Sequence, residues 1–136
     1  MSYILDSSAI FKTIKEGDVE TLLGNHTIDL ARYELGNTVW KQHVLHKKLS
    51  NDESRRLVRL IKEVLSIMEV SGIGCREEEI LSIAQELHLT FYDSSYVLYS
   101  KEKNLPLVTE DETITEKAKP HIKVLKTSDL KVSRHV

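Results

Sequence analysis

The chain has 136 residues, 40% hydrophobic and 29% charged, with a formal charge of −2. That is the composition of one globular domain with a sizeable core; it contains no apolar run near the ~20 residues of a membrane span. Its single cysteine, Cys75, excludes an internal disulfide, and the near-balanced charge argues against indiscriminate nucleic-acid binding.

In chain order, residues 2–6 read as a short strand and residues 7–15 as a helix with Ala9, Ile10, Phe11 and Ile14 apolar. A further short helix over 18–23 closes at Gly24 and Asn25, and residues 26–30 follow as a second strand. A long helix is expected over 31–49. Ser50 to Glu53 has capping-box form and opens a strongly amphipathic helix with Leu57, Leu60, Ile61, Val64, Leu65 and Met68 on its period. Residues 68–73 read as a strand, 76–88 as a helix, 89–92 as a strand and 94–103 as a helix closed by Asn104 before Pro106. Residues 107–108 are a short strand, 110–118 a helix and 122–125 a last strand. The final ten residues are polar and expected to be loose, apart from Leu130 and Val132.

Alternating strands and helices predict an α/β domain with a parallel sheet over residues 1–126, followed by a tail over 127–136. The helices outnumber what a minimal sheet requires, so a helical hairpin is expected beside it. No basic segment precedes an apolar run at the N-terminus, so no signal peptide is expected; a reducing, cytoplasmic setting fits the lone cysteine. CxxC, HExxH and GxGxxG are absent.

Carboxylates carry the chemistry. Asp6 and Asp93 each follow an apolar run and precede two serines, and Asp111 lies just beyond the 107–108 strand. Helix capping explains any one of them. Three acids at strand ends would meet in the crevice where open α/β sheets bind ligands. Close pairs there repel by roughly 4 kcal/mol at an effective dielectric of 20, unless a pKa rises or a divalent cation binds. Oxygen donors without His or Cys suit Mg²⁺ or Mn²⁺. Glu34 is a fourth candidate, with Asn37 and Thr38 on its helical face, though a solvated polar stripe would look the same. Thr109 to Glu112 also reads as a capping box, which accounts for Glu110 and Glu112 without metal.

Asp6 in YILDSSAIF, Glu34 in YELGNTVWK, Asp93 in YDSSYVLYS and Asp111 in LVTEDE resemble, in order and context, the motifs of PIN-domain ribonucleases, and more narrowly the VapC toxins of VapBC pairs. The resemblance spans residues 2–126. It implies a three-layer fold with a central parallel sheet of about four to five strands and a protruding helical hairpin. It implies an endoribonuclease in which Asp6, Glu34, Asp93 and Asp111 bind Mg²⁺ or Mn²⁺. Ser7, Asn37 and Thr109 match positions beside the metal, where they would orient carboxylates or waters. A cognate VapB-like antitoxin clamped by the hairpin, an RNA substrate and a homodimer follow from the same resemblance. A housekeeping RNA-processing nuclease is the same-fold alternative. A Mg²⁺-binding receiver-like module is a rival of another class, with only Lys126 as its late lysine, and an interaction domain whose acids are caps is a further one. His43 and His46, three apart on a helix, read as surface residues before metal ligands. Trp40 and Tyr96 read as core, and Tyr99 is open between core and base stacking.

Overall fold

The computed structural model describes residues 1–134. Five short strands, β1 (Ile4–Leu5), β2 (His26–Ile28), β3 (Glu69–Ser71), β4 (Leu107–Val108) and β5 (Val124–Leu125), make one parallel sheet in the order β3-β2-β1-β4-β5. The chain builds outward from β1 on one side and then crosses to the other, so the strand order reverses between β1 and β4. That reversal opens a crevice at the carboxyl ends of these two strands.

Seven helices cover the sheet: α1 (Ser7–Lys15), α2 (Leu30–Trp40), α3 (Asn51–Ile67), α4 (Glu77–Leu87), α5 (Phe91–Lys103), α6 (Glu112–Ala118) and α7 (Thr127–Arg134). Successive strand side chains point to opposite faces. Leu5 and Val108 therefore join one core with Ile10, Leu35, Val64 and Leu130, while Ile4 and Leu107 join a second with Ile28, Tyr96 and Ile114. Burial of both faces explains why the central strands β1 and β4 are uninterrupted apolar pairs rather than alternating ones. The result is the expected three-layer α/β arrangement.

Several local expectations change. Residues 89–92 are not a strand. Thr90 accepts the Asp93 amide at 3.0 Å as the N-cap of α5, and Tyr92 is 62% exposed, which a buried strand would not leave. The cap therefore outweighs the β-propensity of the aromatic pair. The long helix expected to residue 49 stops being α-helical at Trp40 and continues as one wide π turn, Lys41–Leu45. His43 Nδ1 then bonds the Leu49 carbonyl at 2.8 Å and Lys47 turns to φ 52°, reversing the chain toward α3. Trp40, expected in the core, is 50% exposed, whereas Tyr96 is buried as expected.

The expected tail instead begins with α7, whose Leu130 is buried in the first core, and α7 packs on α1. The Val132 side chain and residues 135–136 lie outside the described residues. The Ser50/Glu53 capping box forms as the spacing predicts, with both reciprocal bonds present. Asn104 closes α5 in the left-handed region at φ 54°, a conformation that Asn tolerates better than most residues.

Candidate active site

Asp6 follows β1 directly and is 3% exposed. It is the N-cap of α1: Oδ1 accepts the Ala9 amide at 3.0 Å and the Ser8 hydroxyl at 2.7 Å. Oδ2 accepts the Thr109 hydroxyl from the end of β4. The same two hydroxyls accept in turn from the next strand's loop, Ser8 from the Glu110 amide at 3.0 Å and Thr109 from the Asp111 amide at 3.1 Å. Two hydroxyl relays thus lock the Asp6 carboxylate to the 109–111 segment across the switch point. Burial pushes Asp6 up to about 6; the bonds from Ser8, Thr109 and Ala9 oppose this, and the charge of Glu34 adds to it.

Glu34 projects from α2, half-buried, and its Oε1 accepts the Tyr96 hydroxyl at 2.7 Å. Burial, the Glu34 charge and hydrogen bond, and then the Asp6 charge push the Tyr96 phenol far above its usual range, while a bond to the Ser7 hydroxyl opposes them. Tyr96 is therefore a fixed donor to Glu34 at any ordinary pH. Asp93 stands in the first turn of α5, half-buried. Burial raises its pKa, the Thr90 hydrogen bond lowers it, and the charges of Asp111 and Glu34 raise it. Asp111 is exposed and caps α6, its Oδ1 accepting the Ile114 amide at 2.9 Å. Capping and a place in the acidic crevice coincide at Asp6 and Asp111, so the two readings do not compete there.

The four predicted acids accordingly share one electrostatic neighbourhood, with Asp93 sensing Asp111 and Glu34, and Asp6 sensing Glu34. Among the described residues none of the four is in an ion pair. Nor, among those residues, do three Asp, Glu, His or Cys side chains stand close enough together to hold an ion as they are. Glu110 faces away: it accepts from Lys12 Nζ at 2.9 Å and from the Thr127 amide at 2.9 Å. Glu112 pairs with Lys126. Of the three neighbouring acids, only Asp111 bears on Asp93. The capping box expected from Thr109 does not form, because the Thr109 hydroxyl is spent on Asp6 and Asp111 takes the cap.

Thr109 donates its hydroxyl to Asp6 Oδ2. Ser7 reaches Tyr96 rather than a carboxylate, and Asn37 is exposed one turn beyond Glu34. Two residues that sequence reasoning missed are Ser8 and Tyr96. The doubled serine after Asp6 was a usable signal for the first, since an Asp N-cap places the residue two positions on within reach of its own carboxylate. Nothing local marked Tyr96, which meets Glu34 from 62 residues away.

A parallel sheet with acids gathered at its switch point and a helical hairpin beside it defines a PIN-type α/β domain. The chain is 32% identical over 131 residues to exonuclease VapC9 of Pyrobaculum aerophilum, covering 91% of each protein. It belongs to the VapC family of PIN-domain proteins. It is also 29% identical over 92 residues to ribonuclease VapC3 of that organism, covering 68% of this chain and 70% of the relative. The crystal structure of PAE2754 from Pyrobaculum aerophilum matches it with a TM-score of 0.81 at 29% identity, over 98% of this chain and 97% of that one. VapBC2 from Rickettsia felis, solved bound to a DNA fragment from its promoter, shares the fold with a TM-score of 0.65 at 16% identity, over 93% and 98%. No family model matches the chain.

Proposed function

We propose that the chain is a metal-dependent endoribonuclease, the toxin of a toxin–antitoxin pair. The observation that supports this reading is the mutual charge effect among four carboxylates from distant parts of the chain, Glu34 on Asp6 and both Asp111 and Glu34 on Asp93, with no cation paired to any of them among the described residues. The oxygen-only donor set fits Mg²⁺ or Mn²⁺ and not zinc. Asp6 fits as well, because a buried carboxylate whose ionisation is penalised gains most from a neighbouring cation. Asp6, Glu34, Asp93 and Asp111 would hold the ion. When bound, it lowers the pKa of a water and offsets the charge that builds on the phosphoryl oxygens.

The chain's own residues supply position. Ser8, Thr109 and the Ala9 amide leave Asp6 no rotational freedom, and Tyr96 fixes Glu34. Thr90 and Ile114 anchor the segments that present Asp93 and Asp111. Lys126, the lysine a receiver-like module would need, is engaged by Glu112, which weighs against that rival. The relatives named exonuclease and ribonuclease support a nuclease, and the VapBC likeness of the fold supports an antitoxin partner. A homodimer belongs to the same reading.

The test uses purified chain with Mg²⁺ or Mn²⁺ on linear and circularised single-stranded RNA. Both should be cut, and cutting should stop with EDTA, in Asp6→Asn and in Asp93→Asn. Loss of linear RNA alone would make the enzyme an exonuclease. Full activity in both variants would overturn the site. Light scattering reports the dimer, and co-purification with the product of an adjacent reading frame reports the antitoxin.

A further inference from the structure

The last helix, α7, is joined to the acidic crevice through Glu110, which has its main chain in the site and its side chain in the helix. The Glu110 amide donates to Ser8 Oγ at 3.0 Å, and Ser8 donates to Asp6 Oδ1 at 2.7 Å. In the other direction, Glu110 Oε2 accepts the Thr127 amide at 2.9 Å and the Thr127 hydroxyl at 3.1 Å. Its Oε1 accepts Lys12 Nζ at 2.9 Å. Thr127 is the first residue of α7, and its amide is one of those a helix leaves without an internal partner. A carboxylate 17 residues away therefore caps α7, and the positive end of the helix favours that charge.

Ordinary capping does not account for this bond. The helix already has a local cap, since Asp129 Oδ2 accepts the Lys126 amide at 2.8 Å. A second link runs beside the first, with Lys126 Nζ donating to Glu112. Both neighbours of Asp111 are thus tied to the start of α7, and Asp111 between them bears on Asp93. The anchor is firm: Thr127 and Leu130 are buried, and Leu130 lies in the core with Leu5, Ile10 and Leu35. What holds the 110–112 backbone in place therefore includes a helix that lies outside the crevice.

We infer that α7 positions Asp111 through Glu110: by capping the helix, this positioning residue fixes the backbone that carries Asp111, and loosening the cap lets Asp111 drift from Asp93. The role given to Asp111 rests on the nuclease reading, but the mechanical link does not. Amide hydrogen exchange is followed by NMR in the metal-free full chain, for wild type, Glu110→Ala, Glu110→Gln and Thr127→Pro. Glu110→Ala removes both acceptor oxygens. Thr127→Pro deletes the donor instead, at a first-turn position where a helix tolerates proline.

Glu110→Ala and Thr127→Pro should each speed exchange of the amides at 110 and 111 roughly tenfold, the scale of one charge-assisted hydrogen bond. The Leu107 and Thr109 amides, bonded to the carbonyls of Lys123 and Leu125, should keep their wild-type rates. The two changes combined should do no more than either alone, because both cut the same link. Glu110→Gln keeps an oxygen for the Thr127 amide and should exchange much as wild type does. In RNA cleavage, the two disruptive variants should lower kcat and leave KM in place, as lost positioning requires. Wild-type exchange at 110 and 111 in Glu110→Ala overturns the inference, and so does a rise spread evenly over the sheet amides, which marks general loss of stability. Faster exchange confined to 110 and 111 in a chain that cuts no RNA upholds the link and refutes the nuclease reading. Unchanged exchange in a chain that cuts RNA does the reverse.

Discussion

Asp6→Asn should abolish RNA cleavage and at the same time stabilise the metal-free protein. Burial raises the Asp6 carboxyl from 3.8 to about 6, against the opposing donors Ser8, Thr109 and Ala9 and with help from Glu34. Because the folded value lies above the unfolded one, the folded chain holds this proton over a window where the unfolded chain has released it. The metal-free fold is therefore favoured below about pH 4, loses stability as pH climbs toward 6, and stays at the lower level above that. The gap corresponds to about 3 kcal/mol at neutral pH. Asparagine removes the charge while its Oδ1 can still accept from Ala9 and Ser8 and its amide can face Thr109. Allowing for imperfect replacement, the variant should gain about 1–3 kcal/mol, or a Tm higher by about 3–10 °C. Thermal melts after chelation read this directly: the advantage should be present near pH 7.5 and gone near pH 4. Adding Mg²⁺ or Mn²⁺ should raise the wild-type Tm and leave the variant where it was. A variant less stable than wild type near pH 7.5 by a margin that persists at pH 4 would refute the claim that this buried charge is costly.

Further outcomes follow from the same contacts. Thr109→Val keeps the shape but strands Asp6 Oδ2 and the Asp111 amide; it should cost about 2–4 kcal/mol in denaturant melts and lower kcat. Tyr96→Phe removes the side-chain donor to Glu34 found among the described residues, so activity should fall while circular dichroism stays native. Asp111→Asn should impair cleavage, whereas Glu110→Gln and Glu112→Gln should retain it, since both are engaged by lysines outside the crevice; equal loss in all three would remove Asp111 from the site. Asn104→Val forces a β-branched residue into the left-handed region and should destabilise by about 1–2 kcal/mol with catalysis unchanged in kinetic assays.

Much of this molecule was legible from local chemistry. The Ser50/Glu53 box, the Asn104 stop and the apolar strand segments β1, β4 and β5 are short-range signals, each set by backbone preferences within a few residues. The misreadings came where two local signals pointed apart. At 89–92 the aromatic, β-prone LTFY lies over a Thr cap, and capping prevailed, opening a helix whose residues Ser94 to Ser100 are buried on all sides. After Trp40 the apolar period continues, yet a bond between His43 and Leu49 turns the chain.

The sequence by itself determined the class of fold and singled out four acids as candidates, because periodicity, caps and motif order are properties of neighbouring residues. Only the tertiary structure decided how those acids are held. Asp6 is fixed by Thr109 from 103 residues away, Glu34 by Tyr96 from 62, and Asp111 is set apart from Glu110 and Glu112 by lysines on other elements. Those choices belong to which strand lies beside which, and strand adjacency is settled by burial of the whole sheet on both faces, which no local stretch of chain encodes.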